Sequence, residues 1–447
     1  MIGAGMSGLA AIRELTRAGH VVTAYEAGSQ IGGMWRYDND SGLSAAYASL
    51  HTNTSLERMH YPSLPVRGPG GEFPHHSEIL AHLEHYARVN GLLAHITCGA
   101  SVEHVRQAGG RWEVSARGDE PRCFDGVVVA AGHYWDPNIP KLPGLFDGSV
   151  IHARDYRTPE RFANRSVLVV GGGQSALDIA AELSGPARRA LLSANAVHHL
   201  LPRHVRGRPY DSRGTSGALT LPLPLLRLIA TAALRASGDA PDRGELPPPR
   251  HPLFKTRPPI IVSPAVQVAI RERAFETRPA IRRLAGERVI FSDGTAERVD
   301  AIVVATGYRI TFPFLDPSLG RGKGWEFPLY RRILSPRAEN LAFIGVLEPG
   351  PGLFEIVQRQ AVWLAEVLAG RLPIPDRAGM WRAINAGGER RSRRLFGASG
   401  AHTILCNRHA YLATLARDLR RGRPQRYGDR VTERHVPRVT LAKERAG

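Results

Sequence analysis

The residues best placed to do chemistry in this chain are glycines. Gly3, Gly5 and Gly8 stand in a Gly-x-Gly-x-x-Gly spacing, followed by an apolar run to Leu15 and then by Val21-Val22-Thr23-Ala24-Tyr25-Glu26. Each has a mechanical use: Gly3 permits a tight turn, Gly5 lets backbone approach a pyrophosphate, and Gly8 allows the following helix to pack closely. The N-terminus of that helix offers free N–H groups to phosphates, and Glu26, closing the second strand, can accept from ribose hydroxyls. Glycine turn, helix, strand and acid together read as a dinucleotide site. A second copy begins 168 positions later, where Ser166-Val167-Leu168-Val169-Val170 runs into Gly171-Gly172-Gly173-Gln174-Ser175-Ala176-Leu177-Asp178. Its next strand ends in Ser193-Ala194-Asn195 without the acid, a departure from the contact made to an unphosphorylated ribose. Two sites imply two nucleotides.

The elements that must hold these loops follow from the apolar pattern. Gly126 to His133 and Asp300 to Tyr308 read as buried strands ending in small residues that let the chain pass close to a ligand. Asp293-Gly294 reads as a hairpin turn. The predicted fold class is α/β, with two dinucleotide-binding (Rossmann-like) domains and the second inserted into the first. The expected boundaries are 1–148, an insert at 149–298, a return at 299–375 and a basic C-terminal region at 376–447. Only Met1 and Ile2 precede Gly3, so the first strand is expected to be a stub and the native start to lie upstream. Leu225, Leu226, Ile229, Ala233 and Leu234 share one helical face, expected to pack on the protein, with peripheral membrane contact as the alternative. The five prolines between Pro241 and Pro252 predict a flexible loop.

With 447 residues, 43% hydrophobic and 22% charged, the composition excludes disorder, collagen and coiled coil. Three scattered cysteines make neither a disulfide framework nor a redox pair, and no apolar run is long enough to span a membrane, so a cytoplasmic protein is expected. The net charge of +18 gathers at the end: residues 376–447 hold 17 Lys and Arg against 6 Asp and Glu. Only four of the 59 basic residues are Lys, so the excess reads as an arginine-rich solvated tail, and no nucleic-acid partner is expected. His75, His76, His82 and His85 follow no metal-binding spacing and read as surface helix histidines, with no metal expected.

Phe146-Asp147-Gly148 followed by His152 and Tyr156 fits FxGxxxHxxxY just ahead of the second nucleotide strand. With Gly32-Gly33-Met34-Trp35, Thr52-Asn53-Thr54, Phe73-Pro74, Gly132-His133, Ala305-Thr306-Gly307-Tyr308 and Gln360-Ala361 in the same order, the chain resembles the flavin-containing monooxygenases over most of residues 1 to 373. The resemblance implies FAD on the first unit and NADP on the inserted one. Gly3, Gly5, Gly8 and Glu26 would hold the FAD pyrophosphate and ribose, and Gly33, Met34, Trp35 and Thr54 would line its isoalloxazine side. Gly171, Gly173, Ser175, Ala176 and Asp178 would sit at the nicotinamide nucleotide's phosphates. Thr52, Thr306, Gly307 and Gln360 are carried over as further cofactor contacts, and Asn53 matches the asparagine beside the reactive flavin. The family's usual arginine near Ala194 is missing; Arg203 is the candidate for the 2′-phosphate.

By the same resemblance, NADPH reduces FAD, O2 adds to form a C4a-hydroperoxyflavin, and a small-molecule nucleophile with a soft N or S atom takes one oxygen. NADH is a possible second donor and a homodimer a possible assembly. Asn53 suits a hydrogen-bonding role because a neutral amide cannot itself take the proton. The alternatives are Baeyer–Villiger oxygenation of a ketone or keto acid, whose enzymes carry Trp where this chain has Tyr156, and a flavin reductase serving a partner protein.

Overall fold

The computed structural model describes residues 1–66, 72–212, 223–253, 259–323, 326–386 and 403–422. Two parallel sheets organise it. In the first, Leu341–Phe343, Val127–Val129, Ile2, Ala24–Tyr25 and Ile96–Thr97 lie side by side. The first strand is a single bridging residue: Ile2 N–H donates to the carbonyl of Val128, and the Ile2 carbonyl accepts from Ala130. Helix Met6–Arg17 covers this sheet because Leu9, Ile12 and Leu15 fall on one face at helical spacing and pack in one core with Val357 and Leu364 of helix Leu353–Leu368. Fully burying such a side chain stabilises by roughly 1.5–3 kcal/mol, which fixes the glycine loop at the head of the helix.

The second sheet has the order Glu276–Arg278, Arg189–Ser193, Ser166–Val170, Ala301–Val304, Ser149–His152, all parallel. Its middle strands are continuous apolar runs because both faces are buried. One domain is inserted in the other, as expected, but the boundary differs. Strand Ala301–Val304 pairs with Ser166–Val170 at the heart of the second sheet, so the chain stays there past residue 298 and rejoins the first sheet only at Leu341–Phe343. The Asp293-Gly294 hairpin forms between Arg288–Phe291 and Ala296–Arg298, with Gly294 at φ +87°.

Three further readings change. Residues 403–422 are not a solvated tail: helix Arg408–Arg421 buries Tyr411 and Leu415 against helix Leu353–Leu368, while residues 387–402 and 423–447 lie outside the described residues. The loop after Pro241 is fastened, since Arg243 donates to the carbonyls of Val197, His198 and Pro247. On helix Leu223–Ser237 the apolar face is turned outward in part, with Leu225, Leu228 and Ile229 exposed; the side chain of Leu226 lies outside the described residues.

Candidate active site

The first glycine loop is built so that only glycine fits. Gly3 has φ +96°, and a Cβ there would stand 2.7 Å from the Ala130 carbonyl oxygen; a Cβ on Gly8 would stand 2.0 Å from the Gly3 oxygen. No side chain caps helix Met6–Arg17, so its first-turn N–H groups remain for a ligand. Glu26 is buried, with one carboxylate oxygen accepting from Ala4 N–H at 2.7 Å and the other from Gly28 N–H at 3.0 Å. Each oxygen keeps lone-pair capacity for a ribose hydroxyl. The short 3₁₀ turn Gly33–Trp35 rests on this loop: Gly32 N–H donates to the Ala4 carbonyl, and a Cβ on Gly33 would lie 3.1 Å from the Gly5 Cα. Gly3, Gly5, Gly8, Glu26 and Gly33 therefore converge, and Met34 and Trp35 come with them.

At the second loop the crowding falls on Gly171 and Gly172, whose Cβ atoms would stand 2.3 Å from the Ala305 oxygen and 2.0 Å from the Ala196 oxygen. Gly173 has open space where its Cβ would be and begins helix Gln174–Leu183 with no side-chain cap. Ser175 and Ala176 lie in the first turn of that helix. Free N–H groups and an unfilled space at a glycine are what a phosphate requires, so the residues fit a nucleotide at both loops.

Several expected contacts are occupied by protein instead. Asp178 accepts from Gln174 Nε2 at 3.1 and 3.0 Å and from the Tyr47 hydroxyl at 3.4 Å, so it faces the first domain rather than a phosphate. Burial raises its carboxyl to about 6. Arg203 lies over the Phe73 ring, 4.9 Å from its centroid, among Asp178, Tyr47 and Tyr210. The arginine at the end of strand Arg189–Ser193 is Arg278, in register with Ser193, and its guanidinium is held by Glu276 and Glu297 at 2.6 Å. Thr306 donates to the Asn138 carbonyl, and the Gly307 carbonyl accepts from Asn138 N–H at 2.9 Å, so both fasten the linker between domains. Gln360 is fully buried; its oxygen accepts from Gly345 N–H, and its amide donates to the Arg332 carbonyl and the Tyr411 hydroxyl. It acts on the cradle only through Gly345, where a Cβ would strike Ser7 Oγ at 2.1 Å. The histidines are structural: His75 caps helix His76–Val89 with Glu78, and His76 and His82 are buried rather than on the surface.

Asn53 sits in a loop whose backbone is tied on every side. Thr52 N–H donates to the Pro74 carbonyl at 2.9 Å, the Thr52 hydroxyl to the Thr54 carbonyl at 2.7 Å, and Ser55 N–H to the Asp211 carboxylate at 2.9 Å. The Tyr210 hydroxyl donates to the Asn53 carbonyl at 3.0 Å. The Asn53 side-chain amide has no hydrogen-bond partner among the described residues. Tyr210 and Asp211 escaped sequence reasoning because they lie 157 and 156 positions from their partners and form no motif.

A family model described as "Flavin-binding monooxygenase-like" matches residues 1–424. The chain belongs to that family. Human flavin-containing monooxygenase 3 is 31% identical over 422 residues, which are 89% of this chain and 78% of that protein. Among solved structures, S-allyl-L-cysteine S-oxygenase from Allium sativum is 26% identical with a TM-score of 0.68, covering 93% of this chain and 87% of that one. Cyclohexanone monooxygenase in its open form shares the fold at 17% identity, with a TM-score of 0.68 and coverage of 94% and 97%. As a flavin-binding monooxygenase, the protein is an oxidoreductase that uses FAD, NADPH and O2. Among the described residues no helix is long and apolar enough to cross a membrane.

Proposed function

We propose that this monooxygenase oxygenates a soft nitrogen or sulfur atom of a small molecule and that the Asn53 amide stabilises the oxygenating state. Overall, substrate, O2, NADPH and a proton give the oxygenated substrate, NADP⁺ and water. FAD, bound on the loop of Gly3, Gly5 and Gly8, supplies hydride acceptance and oxygen activation. The protein's part is to bind, orient and exclude water. The first cradle fixes one nucleotide through helix N–H groups and Glu26; the second receives the other at Gly171 to Ala176. Asn53, on a locked backbone and with its side-chain amide unpartnered among the described residues, can donate and accept hydrogen bonds without becoming charged or taking up a proton. That amide, without a partner among the described residues, is the observation that carries the reading. The sulfur chemistry named for the Allium enzyme, at 26% identity, supports the substrate class.

The test measures oxygenated product and hydrogen peroxide per NADPH oxidised, with N,N-dimethylaniline and thioanisole as probes. Wild type is expected to convert most NADPH into product. Asn53→Ala and Asn53→Asp should retain FAD and still oxidise NADPH but release peroxide, the Asp variant more so because its charge repels a developing anion. Wild-type peroxide with no product from any soft nucleophile would instead favour a reductase.

A further inference from the structure

The inserted domain reaches the Asn53 loop through one small device. Strands His204–Val205 and Arg208–Pro209 pair antiparallel around Arg206 and Gly207, which have φ of +52° and +69°. Positive φ at both central residues is the tight hairpin turn whose twist matches its strands. Directly after it come Tyr210 and Asp211, whose side chains point back across the domain boundary. The Tyr210 hydroxyl donates to the Asn53 carbonyl at 3.0 Å, and Asp211 Oδ2 accepts from Ser55 N–H at 2.9 Å. Arg58 Nε returns the contact by donating to the Asp211 carbonyl at 3.2 Å. The base of the hairpin is held on the same surface: Arg203 lies over Phe73, and His204 pairs with Glu72.

From these contacts we infer that Tyr210 and Asp211 are positioning residues for the oxygenation step, a latch by which the inserted domain sets where the Asn53 amide points. The inference rests on the reading of Asn53 given above. Asp211 is only 4% exposed, and its second carboxylate oxygen, Oδ1, is buried with no partner among the described residues. A carboxylate is costly to leave in that state, and burial does raise its protonation point. Tyr210 is half-buried, and desolvation raises its phenol well above the ordinary range, so it stays a donor at every working pH. The two residues grip consecutive corners of one loop, on either side of Thr54, so the Asn53 peptide cannot turn while both hold. Their partners lie on the other domain, so the grip depends on how the nucleotide-binding insert is seated.

The experiment compares Asp211→Ala, Asp211→Asn, Tyr210→Phe and Asn53→Ala in the FAD-loaded enzyme with thioanisole, reading product and peroxide per NADPH, bound flavin absorbance and melting temperature. Asp211→Ala is expected to lose about fivefold or more in product per NADPH, since the Ser55 N–H is left unmet. NADPH oxidation and bound flavin should stay within about twofold of wild type, because the first cradle is untouched. Asp211→Asn should restore most of the coupling, and Tyr210→Phe should show a smaller loss in the same direction. A merely structural role would lower the melting temperature and flavin content together and leave coupling unchanged in the protein that remains folded; that result overturns the latch. Should Asp211→Ala fail to fold, Tyr210→Phe carries the same decision. Uncoupling in Asn53→Ala with none in the other variants defeats the latch alone, and coupling unchanged in Asn53→Ala defeats the reading of Asn53 and the latch with it.

Discussion

Gly8 and His82 show how single residues carry different kinds of consequence. A methyl group on Gly8 would stand 2.0 Å from the Gly3 oxygen, so Gly8→Ala must push the loop away from the pyrophosphate position. Purified Gly8→Ala is expected to come out largely colourless, with FAD affinity down by about tenfold or more, measured by flavin absorbance and titration. His82 is buried against Tyr61 and Phe354, and burial lowers its pKa from 6.5 to about 4. The folded state therefore holds it neutral while the unfolded chain protonates it. That stability is fully present above pH 6.5 and is lost as pH falls towards 4, by about 3 kcal/mol at the limit. His82→Leu should flatten the fall in melting temperature over that window; an unchanged slope would show that His82 is not a source of the acid sensitivity.

At the scale of elements, helix Leu353–Leu368 joins helix Arg408–Arg421 to the glycine loop. Gln360 uses its whole amide in this role, bonding Gly345, Arg332 and Tyr411. Trp363 Nε1 donates to Asp418, which also pairs with Arg331 at 2.6 Å. Replacing Gln360 by Ala strands buried polar groups on three elements, and a cost of about 2–5 kcal/mol follows. The prediction separates a structural residue from a cofactor contact: the melting temperature of Gln360→Ala should drop by several degrees while the affinity of the folded protein for FAD stays unchanged. Weakened FAD binding at unchanged stability would return Gln360 to the cofactor. The same element explains why residues 403–422, basic as they are, fold down: Tyr411 and Leu415 have an apolar surface to bury against.

The whole molecule decides how its two nucleotides are told apart. At the ribose end of the second cradle the strand closes with Ser193, Ala194 and an exposed Asn195, none of which carries a carboxylate to repel a 2′-phosphate. Arg278 stands there in register, but Glu276 and Glu297 already neutralise it in a network with Arg189. Arg203 is drawn instead to the domain boundary by Asp178 and the Phe73 ring. Arg278 is therefore not free to grip a phosphate in bidentate fashion, and Arg203 rests on the Phe73 ring at the domain boundary. NADPH is therefore expected to be preferred over NADH by less than about a hundredfold in kcat/KM, roughly 2.7 kcal/mol. A larger ratio in steady-state kinetics would reveal a clamp elsewhere in the chain.

What the sequence determined by itself are the features that depend on neighbours a few residues away. Gly3, Gly5, Gly8 and Glu26, the strand Ser166–Val170 with its glycine turn, and the Asp293-Gly294 hairpin were all legible, because turn geometry and helix or strand periodicity are written locally. The interrupted order of the two domains was legible too. Tertiary structure decided everything that rests on contacts between distant segments. It set strand Ala301–Val304 in the second sheet between Ser166–Val170 and Ser149–His152, turned Asp178 towards Tyr47, closed Gln360 into the core and laid Arg203 on Phe73. It also brought Tyr210 and Asp211 to the Asn53 loop across 157 and 156 positions. A side chain's partner is set by which surfaces meet after the sheets have packed, and no local spacing encodes that meeting.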